Sequence, residues 1–308
     1  MADYLTTREA YGEALAVLSD KYDYLVLDAD LAKATQTARF KKKCPERFLD
    51  MGISEGDMMA TAAGIATCGT TVFASTFALF AAGRAYEQIR NSIAYPHLHV
   101  IIGATHAGVM IGEDGASHQC IEDLALMRAV PGMQILVPCD EKSVFAAVEA
   151  AIKAEGPVYL RMGRSSCAPV YTEQPEVEIG KGIVLRDGTD VTIVAIGDMT
   201  AEAVKAAAQL AEEGISAAVI DMISVKPIDR ELILKYLKTT GKIVTAEDHN
   251  IIGGLGSAVA EIVAEEGQGK LTRIGVRDTF GRSGKRGDLQ QYFGLTAEKI
   301  AQACREMM

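Results

Sequence analysis

The densest group of chemically versatile side chains lies in residues 105–119. This segment holds His106 and His118, Glu113 and Asp114, and three glycines. It follows an apolar run typical of a buried strand, and loops after strands carry the ligand sites of α/β proteins. Imidazoles and carboxylates among glycines suit hydrogen bonding to a polyhydroxylated substrate and proton transfer near neutral pH. We therefore predict that this loop is one wall of an active site.

A metal site is the alternative for these histidines. The sequence has no His-x-x-x-His spacing or nearby cysteine pair that would support one. We expect no metal ligands in this chain.

A second candidate is Glu55, which follows a short apolar run and opens an alanine-rich helical pattern. Its spacing allows two interpretations. It could be a first-turn acid favoured by the helix dipole. It could instead be an inward-facing carboxylate, flanked by Ile53 and Met58, that exchanges a proton with a ligand.

Two aromatic residues, Phe77 and Phe80, lie three apart at the start of a helical pattern, so both can project from one face. Core packing is one interpretation. Only 6% of the chain is aromatic, and ligands bind where strands end, so one ring could instead offer its face to a planar heterocycle.

Two arginines, Arg8 and Arg164, could bind phosphate as bidentate forks or form surface ion pairs.

The elements that position these residues alternate between short apolar runs and helical patterns. We predict two α/β sets, because strands separated by helices imply doubly wound parallel sheets. The first has strands near residues 24–27, 71–74, 100–102, 134–137 and 158–161, with helices near 54–68, 79–93 and 140–154. The second has strands near 191–196, 217–220, 243–246 and 272–276, with helices near 201–213, 230–238, 256–266 and 296–305. We place the domains at 1–170 and 186–308, joined by a proline- and glutamate-rich linker at 171–185.

Composition narrows the class of protein. The net charge of −10 does not suggest a nucleic acid or an anionic membrane as a partner. Asp3 and Glu9 stand where a secretory signal would be basic, and no apolar run reaches membrane-spanning length. The six cysteines are scattered and form no zinc-type spacing. We expect a cytoplasmic protein with reduced thiols.

Taken in order along the chain, these segments resemble the C-terminal half of the transketolase family. The resemblance covers essentially the whole length. Its motifs are the Gly-Ile-x-Glu stretch at 51–59, the aromatic stretch at 75–89, the loop at 105–119 continuing to 133, and the C-terminal segments 245–249 and 253–257.

The resemblance implies a role for each candidate. The first domain would be the pyrimidine-binding domain for thiamine diphosphate, and the second, smaller domain would be the transketolase C-terminal α/β domain. Glu55 would bind the aminopyrimidine nitrogen N1′, and Phe80 would stack on that ring with Phe77 beside it. The remaining residues would bind the substrate and move its protons: His106 and His118 at the carbonyl oxygen, Asp114 at a donor hydroxyl, Arg8 and Arg164 at the sugar phosphate, and Asp30 in the channel.

The resemblance also implies a missing partner. The sequence has no Gly-Asp-Gly followed some thirty residues later by asparagine, the signature that binds Mg²⁺ and diphosphate in thiamine enzymes. We therefore expect a split transketolase whose N-terminal subunit binds Mg²⁺ and diphosphate, with two copies of each subunit assembled as α2β2. Transfer of a two-carbon ketol unit from a ketose phosphate to an aldose phosphate is the implied reaction.

Several alternatives remain. A deoxyxylulose-phosphate synthase-like protein and the β subunit of a 2-oxoacid dehydrogenase share this domain pair. A transketolase for an unusual sugar phosphate or a sulfosugar is a third possibility. From a different class, the chain could be a non-catalytic scaffolding or regulatory half. Glu55, Phe80, His106, Asp114 and His118 argue against that last interpretation.

Overall fold

The computed structural model describes residues 4–165 and 168–308. Cys167, one of the six cysteines, lies outside the described residues. The strands are β1 (Leu25–Asp28), β2 (Phe48–Asp50), β3 (Val72–Phe77), β4 (Val100–Thr105), β5 (Gln134–Leu136), β6 (Val158–Arg161), β7 (Ile183–Arg186), β8 (Val191–Ala195), β9 (Ala217–Asp221), β10 (Ser224–Lys226), β11 (Lys242–Asn250) and β12 (Lys270–Val276). They form two sheets, so the prediction of two α/β units is confirmed.

Helices follow most of these strands. They are α1 (Thr7–Leu18), α2 (Ala32–Thr35), α3 (Ala38–Lys43), α4 (Glu55–Ala66), α5 (Tyr86–Gln88), α6 (Asp123–Ala129), α7 (Glu141–Lys153), α8 (Asp198–Glu212), α9 (Arg230–Thr240), α10 (Leu255–Glu266), α11 (Arg286–Phe293) and α12 (Ala297–Arg305). Reciprocal side-chain caps begin two of them, with Thr6 and Glu9 at α1 and Asp140 and Ser143 at α7.

The first sheet has seven strands in the order β10-β5-β6-β4-β3-β1-β2. Strands β1 to β6 pair in parallel. Every residue of β3 and β4 is buried, as expected for central strands covered by helices on both faces. Gly103 lets β4 pass close to α1, because a Cβ there would lie 2.1 Å from the Tyr11 hydroxyl oxygen.

One predicted helix has a different form. The segment predicted at 79–93 contains π-helical turns at Phe80–Arg84 and Ile89–Ala94, separated by the short α5. An apolar pattern of helical period does not distinguish α from π hydrogen bonding, so the sequence could not reveal this. π turns are rare and are found mostly at functional sites.

The second sheet has five strands in the order β12-β11-β8-β9-β7. Strands β8, β9, β11 and β12 are parallel neighbours, while β7 is antiparallel to β9. Strand β10, which follows β9, pairs antiparallel with β5 and so extends the first sheet. The sequence pattern predicted neither β7 nor β10. Strand β7 is short and half-exposed, and β10 is short and directly follows β9.

The connection between the sheets is tied to both. The Asp140 carboxylate accepts the backbone N–H groups of Val170 and Tyr171, each at 2.9 Å. The Tyr171 hydroxyl donates to Asp221 at the end of β9, at 2.7 Å. These bonds hold the linker against the two units. Within residues 4–165 and 168–308, no helix is both long and apolar enough to cross a membrane.

Candidate active site

The predicted site residues meet at one edge of the first sheet. Parallel register aligns Asp28 with Ser75, Phe77 with Thr105, and Ala104 with Arg161. The segments after β2, β3, β4 and β6 therefore emerge side by side. In doubly wound sheets this carboxyl edge is where ligands bind.

Glu55 is the first residue of α4 and is only 4% exposed. Its Oε1 atom accepts a hydrogen bond from Nη1 of Arg84 at 3.0 Å, and the Arg84 side chain is 53% exposed. The structure thus joins the two interpretations of this glutamate. It lies at a helix N-terminus, and its buried carboxylate also bonds a half-exposed cation.

Four rings form a continuous cluster beside Glu55. The His106 imidazole stacks on Phe77 with ring centroids 3.8 Å apart, and Phe77 stacks on Phe80 at 5.5 Å. His118 approaches both phenyl rings edge-on, at 6.3 Å from Phe77 and 5.5 Å from Phe80. Phe77 is covered by its neighbours, whereas Phe80 is only partly buried. Phe80 is therefore the more exposed of the two phenyl rings.

Arg84 lies over the Phe80 ring and was not among the predicted site residues. Its guanidinium carbon is 4.0 Å from the centroid of the Phe80 ring, a cation–π distance. The same side chain bonds Glu55. The four-residue spacing from Phe80 could have indicated this contact, since such positions share a helix face.

His106 combines an unusual backbone with a buried ring. Its φ of +59° lies in the left-handed region, and the residue is 2% exposed. The Thr105 hydroxyl is 2.9 Å from Nδ1. Burial, followed by the positive charges of Arg8 and Arg164, lowers the pKa of His106 to about 3. The imidazole is therefore neutral at physiological pH and can act as a hydrogen-bond donor or acceptor.

Two arginines converge near His106. Arg8 lies in the first turn of α1 and donates to the Ala34 carbonyl oxygen at 3.0 Å. Its buried Nε atom has no hydrogen-bond partner within the described residues. Arg164 donates to the Ile111 carbonyl oxygen and lies 3.4 Å from an Asp114 oxygen. Burial and the nearby Arg164 lower the pKa of Arg8. Two like charges with spare donors favour an anion between them.

Asp30 is the one predicted residue that stays apart. It lies at the same sheet edge after β1, is exposed, and has a φ of +60°. Its backbone N–H bonds Asp50 at 3.1 Å. Among the described residues, no hydrogen bond or ion pair joins its carboxylate to the others. The remaining residues form what we call the site cluster: Arg8, Glu55, Phe77, Phe80, Arg84, His106, Asp114, His118 and Arg164.

A second titratable group lies between the two sheets, and the sequence analysis assigned no role to it. We call it the interdomain cluster: Asp123, Tyr159, Arg161, Glu247, Asp248 and His249. All six are buried. Asp123 Oδ2 accepts bonds from the Tyr159 hydroxyl at 3.0 Å and from Arg161 Nε at 2.8 Å. Arg161 also donates to the Asp248 carbonyl oxygen at 2.9 Å.

The other half of this cluster belongs to β11. Glu247 accepts the N–H groups of Leu255 and Gly256 at 2.7 and 2.8 Å, which caps α10. A Cβ on Gly254 would lie 2.0 Å from Glu247 Oε2, so this glycine makes room for the carboxylate. Burial raises the pKa of Glu247 to about 7 and lowers that of His249 to about 4. The cluster is closed and joins the two units.

Residues 4–165 and 168–308 contain no group of three or more His, Cys, Asp or Glu side chains placed to hold a metal ion.

Comparison with known proteins identifies the family. The model of the transketolase pyrimidine-binding domain matches residues 3–169, and that of the transketolase C-terminal domain matches residues 180–300. A transketolase C-terminal section from Methanocaldococcus jannaschii is 50% identical over 99% of this chain and 97% of its own length. A subunit of a 6-deoxy-6-sulfo-D-fructose transketolase from Clostridium sp. (strain MSTE9) is 40% identical over 97% of this chain and 94% of that subunit.

A solved structure titled as a split-gene transketolase, an inactive β4 tetramer, has a TM-score of 0.92 and 52% identity over 98% of both chains. The human transketolase is 38% identical over the whole of this chain, which spans 50% of the human protein. The chain therefore belongs to the transketolase family and is similar to the C-terminal half of its full-length members.

Proposed function

We propose that this chain is the C-terminal subunit of a split, thiamine-diphosphate-dependent transketolase. The single observation that carries the proposal is the placement of the Glu55 carboxylate and the partly buried Phe80 ring around one shared space, which the Arg84 guanidinium occupies. The relatives support it, since they include a transketolase C-terminal section and a split-gene transketolase of the same length. The reaction would move a two-carbon ketol unit from a ketose phosphate to an aldose phosphate.

The residues fit the pyrimidine of thiamine diphosphate. Arg84 places a planar cation on Phe80 and against Glu55. A planar heterocycle with a hydrogen-bonding nitrogen would satisfy the same two groups, so Glu55 would hold N1′ and Phe80 would cover the ring. When bound, the cofactor supplies a centre that stabilises a carbanion. Mg²⁺ and the diphosphate would be held by an N-terminal partner subunit.

The chain's own side chains would orient the sugar. Arg8 and Arg164 would bind its anionic end, and Asp114 would accept a donor hydroxyl. Neutral His106, together with His118, would hold or move a proton at the carbonyl oxygen. The half-exposed ring of Phe80 leaves this wall incomplete in one chain. We infer that the chain assembles with its N-terminal partner as α2β2 in the cytoplasm. We also propose that the first domain ends at residue 170 and that the second begins at residue 186.

The test is ketol transfer from xylulose 5-phosphate to ribose 5-phosphate, with thiamine diphosphate and Mg²⁺. It is run with the chain alone, with the N-terminal section alone, and with the mixture. We expect activity only in the mixture. Inactivity of a mixture that co-elutes as one complex would overturn the pentose phosphate assignment.

A sulfonated donor makes a useful second arm. The paired arginines suit either a phosphate or a sulfonate, and one relative is named for a sulfosugar. Turnover of 6-deoxy-6-sulfofructose alone would keep the reaction type and change the substrate. Inactivity with every sugar would favour a scaffolding role.

A further inference from the structure

The active-site loop, residues 105–119, is held by the second α/β unit. Asp248 lies within the buried part of β11 and is 6% exposed. Its Oδ1 atom accepts the backbone N–H of Val109 at 2.9 Å, and its Oδ2 atom accepts that of Met110 at 3.2 Å. A single carboxylate from the C-terminal unit thus bonds two consecutive amides, three and four residues after His106.

The loop backbone fits closely against this carboxylate. Gly108 has a φ of +82°, and a Cβ there would lie 2.0 Å from Asp248 Oδ2. Glycine is therefore required for both conformation and space. The Gly108 backbone therefore lies directly against the Asp248 carboxylate, next to the two amide bonds. These contacts together hold the loop at one position along β11.

The far half of the loop has its own contacts with the same unit. The Ser283 hydroxyl donates to the Glu113 carbonyl oxygen at 2.7 Å. Gln119 Nε2 donates to the carbonyl oxygens of Arg282 and Val109, at 2.9 and 2.8 Å. A Cβ on Gly281 would lie 1.7 Å from Gln119 Oε1, so this contact is also close.

These contacts bracket the residues that face the site. Asp248 bonds the loop just after His106, and Ser283 and Arg282 bond it on either side of Asp114 and His118. A left-handed non-glycine residue such as His106 persists only where its surroundings fix the backbone. We propose that Asp248 is a positioning residue, and that with residues 281–283 it fixes the loop so that His106, Asp114 and His118 share one geometry.

The primary test is hydrogen exchange in the chain alone, which does not depend on the proposed function. The variant Asp248→Asn keeps the side-chain shape but can accept only one of the two amides, and it opposes a donor to the other. We expect exchange at Val109 and Met110 to accelerate by about tenfold or more, the usual effect of losing a bond to a charged acceptor. Unchanged exchange in residues 105–119 would overturn the proposal.

Asp229→Asn is the matched control. Asp229 is also 6% exposed and also accepts two backbone amides, from Leu232 at 3.0 Å and Gly182 at 3.2 Å, but it lies away from the loop at the start of α9. It should lower thermal stability without accelerating exchange in residues 105–119. Equal acceleration by both variants would show a general loss of stability and would also overturn the proposal.

A kinetic measurement, which rests on the proposed function, tests whether fixing the loop contributes to catalysis. In the active mixture, Asp248→Asn should lower kcat by about tenfold, while Asp229→Asn leaves it unchanged. A loosened loop with unchanged kcat would contradict the positioning role. If the wild-type mixture is inactive, the exchange result still decides whether Asp248 holds the loop.

A second variant covers the case in which Asp248→Asn does not fold. Ser283→Ala removes one hydroxyl from an exposed position and carries little risk to folding. It should accelerate exchange by a few-fold at the amides of His118 and Gln119, which donate to the Gly115 carbonyl oxygen, and leave the melting temperature unchanged. No acceleration would contradict a role for the 281–283 segment.

Discussion

The site cluster and the interdomain cluster contain nearly the same kinds of residue but differ in closure. Each combines glutamate, aspartate, histidine and arginine near the carboxyl ends of parallel strands. In the interdomain cluster every member is buried. In the site cluster Arg84 is 53% exposed, Asp114 is 39% exposed and Arg164 is 32% exposed. A high density of titratable groups therefore does not mark an active site unless one side stays open.

The two helix-terminal glutamates show the same difference. Glu247 bonds two backbone amides and caps α10, and its carboxylate has no exposed side. Among the described residues, Glu55 bonds the half-exposed head of one arginine, and Ser54 offers no side-chain cap to α4. A carboxylate committed to backbone amides stabilises the fold, whereas one held by a displaceable cation is available to a ligand.

The sharpest test of this comparison replaces each glutamate by alanine. We expect Glu55→Ala to lower ketol transfer in the mixture by about 10²- to 10⁴-fold, the usual range for a group that handles a proton. Its melting temperature should change little. Glu247→Ala should instead lower the free energy of unfolding by about 1–3 kcal/mol, since two buried amides lose their acceptor. Turnover assays and thermal unfolding of both variants measure these effects, and wild-type turnover of Glu55→Ala would contradict the cofactor assignment.

The next test uses two arginines three residues apart. Arg164→Ala should raise KM for phosphorylated sugars by about tenfold, because a charge-assisted fork is lost. Unphosphorylated analogues should be affected much less. Arg161→Ala should cost about 3–5 kcal/mol of stability, since it leaves Asp123 buried without its charge partner. Steady-state kinetics and denaturant unfolding separate the two effects, and an equal loss for both kinds of sugar would remove Arg164 as the phosphate clamp.

A smaller effect is expected at Arg84. Its guanidinium occupies the space between Glu55 and Phe80, so a cofactor must displace a cation–π contact and a half-exposed ion pair. Arg84→Ala should lower the Kd for thiamine diphosphate in the mixture by about three- to tenfold. Isothermal titration calorimetry measures this, with the exposed Arg90→Ala as the control. Weaker binding would instead make Arg84 a ligand of the cofactor.

The smallest effect concerns pH. Burial lowers the pKa of His249 to about 4 from its ordinary 6.5, so the folded state binds fewer protons than the unfolded state between these values. Stability from this group is present above pH 6.5 and is lost as the pH falls through that window. His249→Gln should reduce the slope of the free energy of unfolding against pH. The reduction corresponds to the uptake of up to about one proton on unfolding.

The corresponding histidine of the site cluster should respond to ligand. His106 has the same sign of shift, with Arg8 and Arg164 among its causes. A bound sugar phosphate would offset those charges, so it should reduce the pH dependence attributable to His106 but not that of His249. Urea unfolding from pH 4 to 7 with and without the ligand tests this, and equal responses of the two histidines would contradict the contrast.

Local patterns were enough for much of the molecule. Short apolar runs and helical patterns located the main strands and helices, because burial on both sheet faces and amphipathic helix packing leave direct marks in the sequence. Parallel pairing then requires the segments after β3, β4 and β6 to meet at one edge. The candidates Glu55, Phe80, His106 and Arg164 could therefore be named before any contact was known.

Other features depend on partners that are far apart along the chain. The bond from Arg84 to Glu55, the π turns of residues 80–94 and the separation of Asp30 from the cluster carry no local signal strong enough to decide them. Asp248 and Val109 are 139 residues apart. Arg161 and Arg164 lie close together in the sequence, and no local pattern distinguishes their roles. The sequence by itself determines which side chains could do chemistry, because residue type and strand ends are local properties. Only the tertiary structure decided which of them are closed into the interdomain cluster and which stay partly exposed, because exposure is set by the packing of one unit against the other.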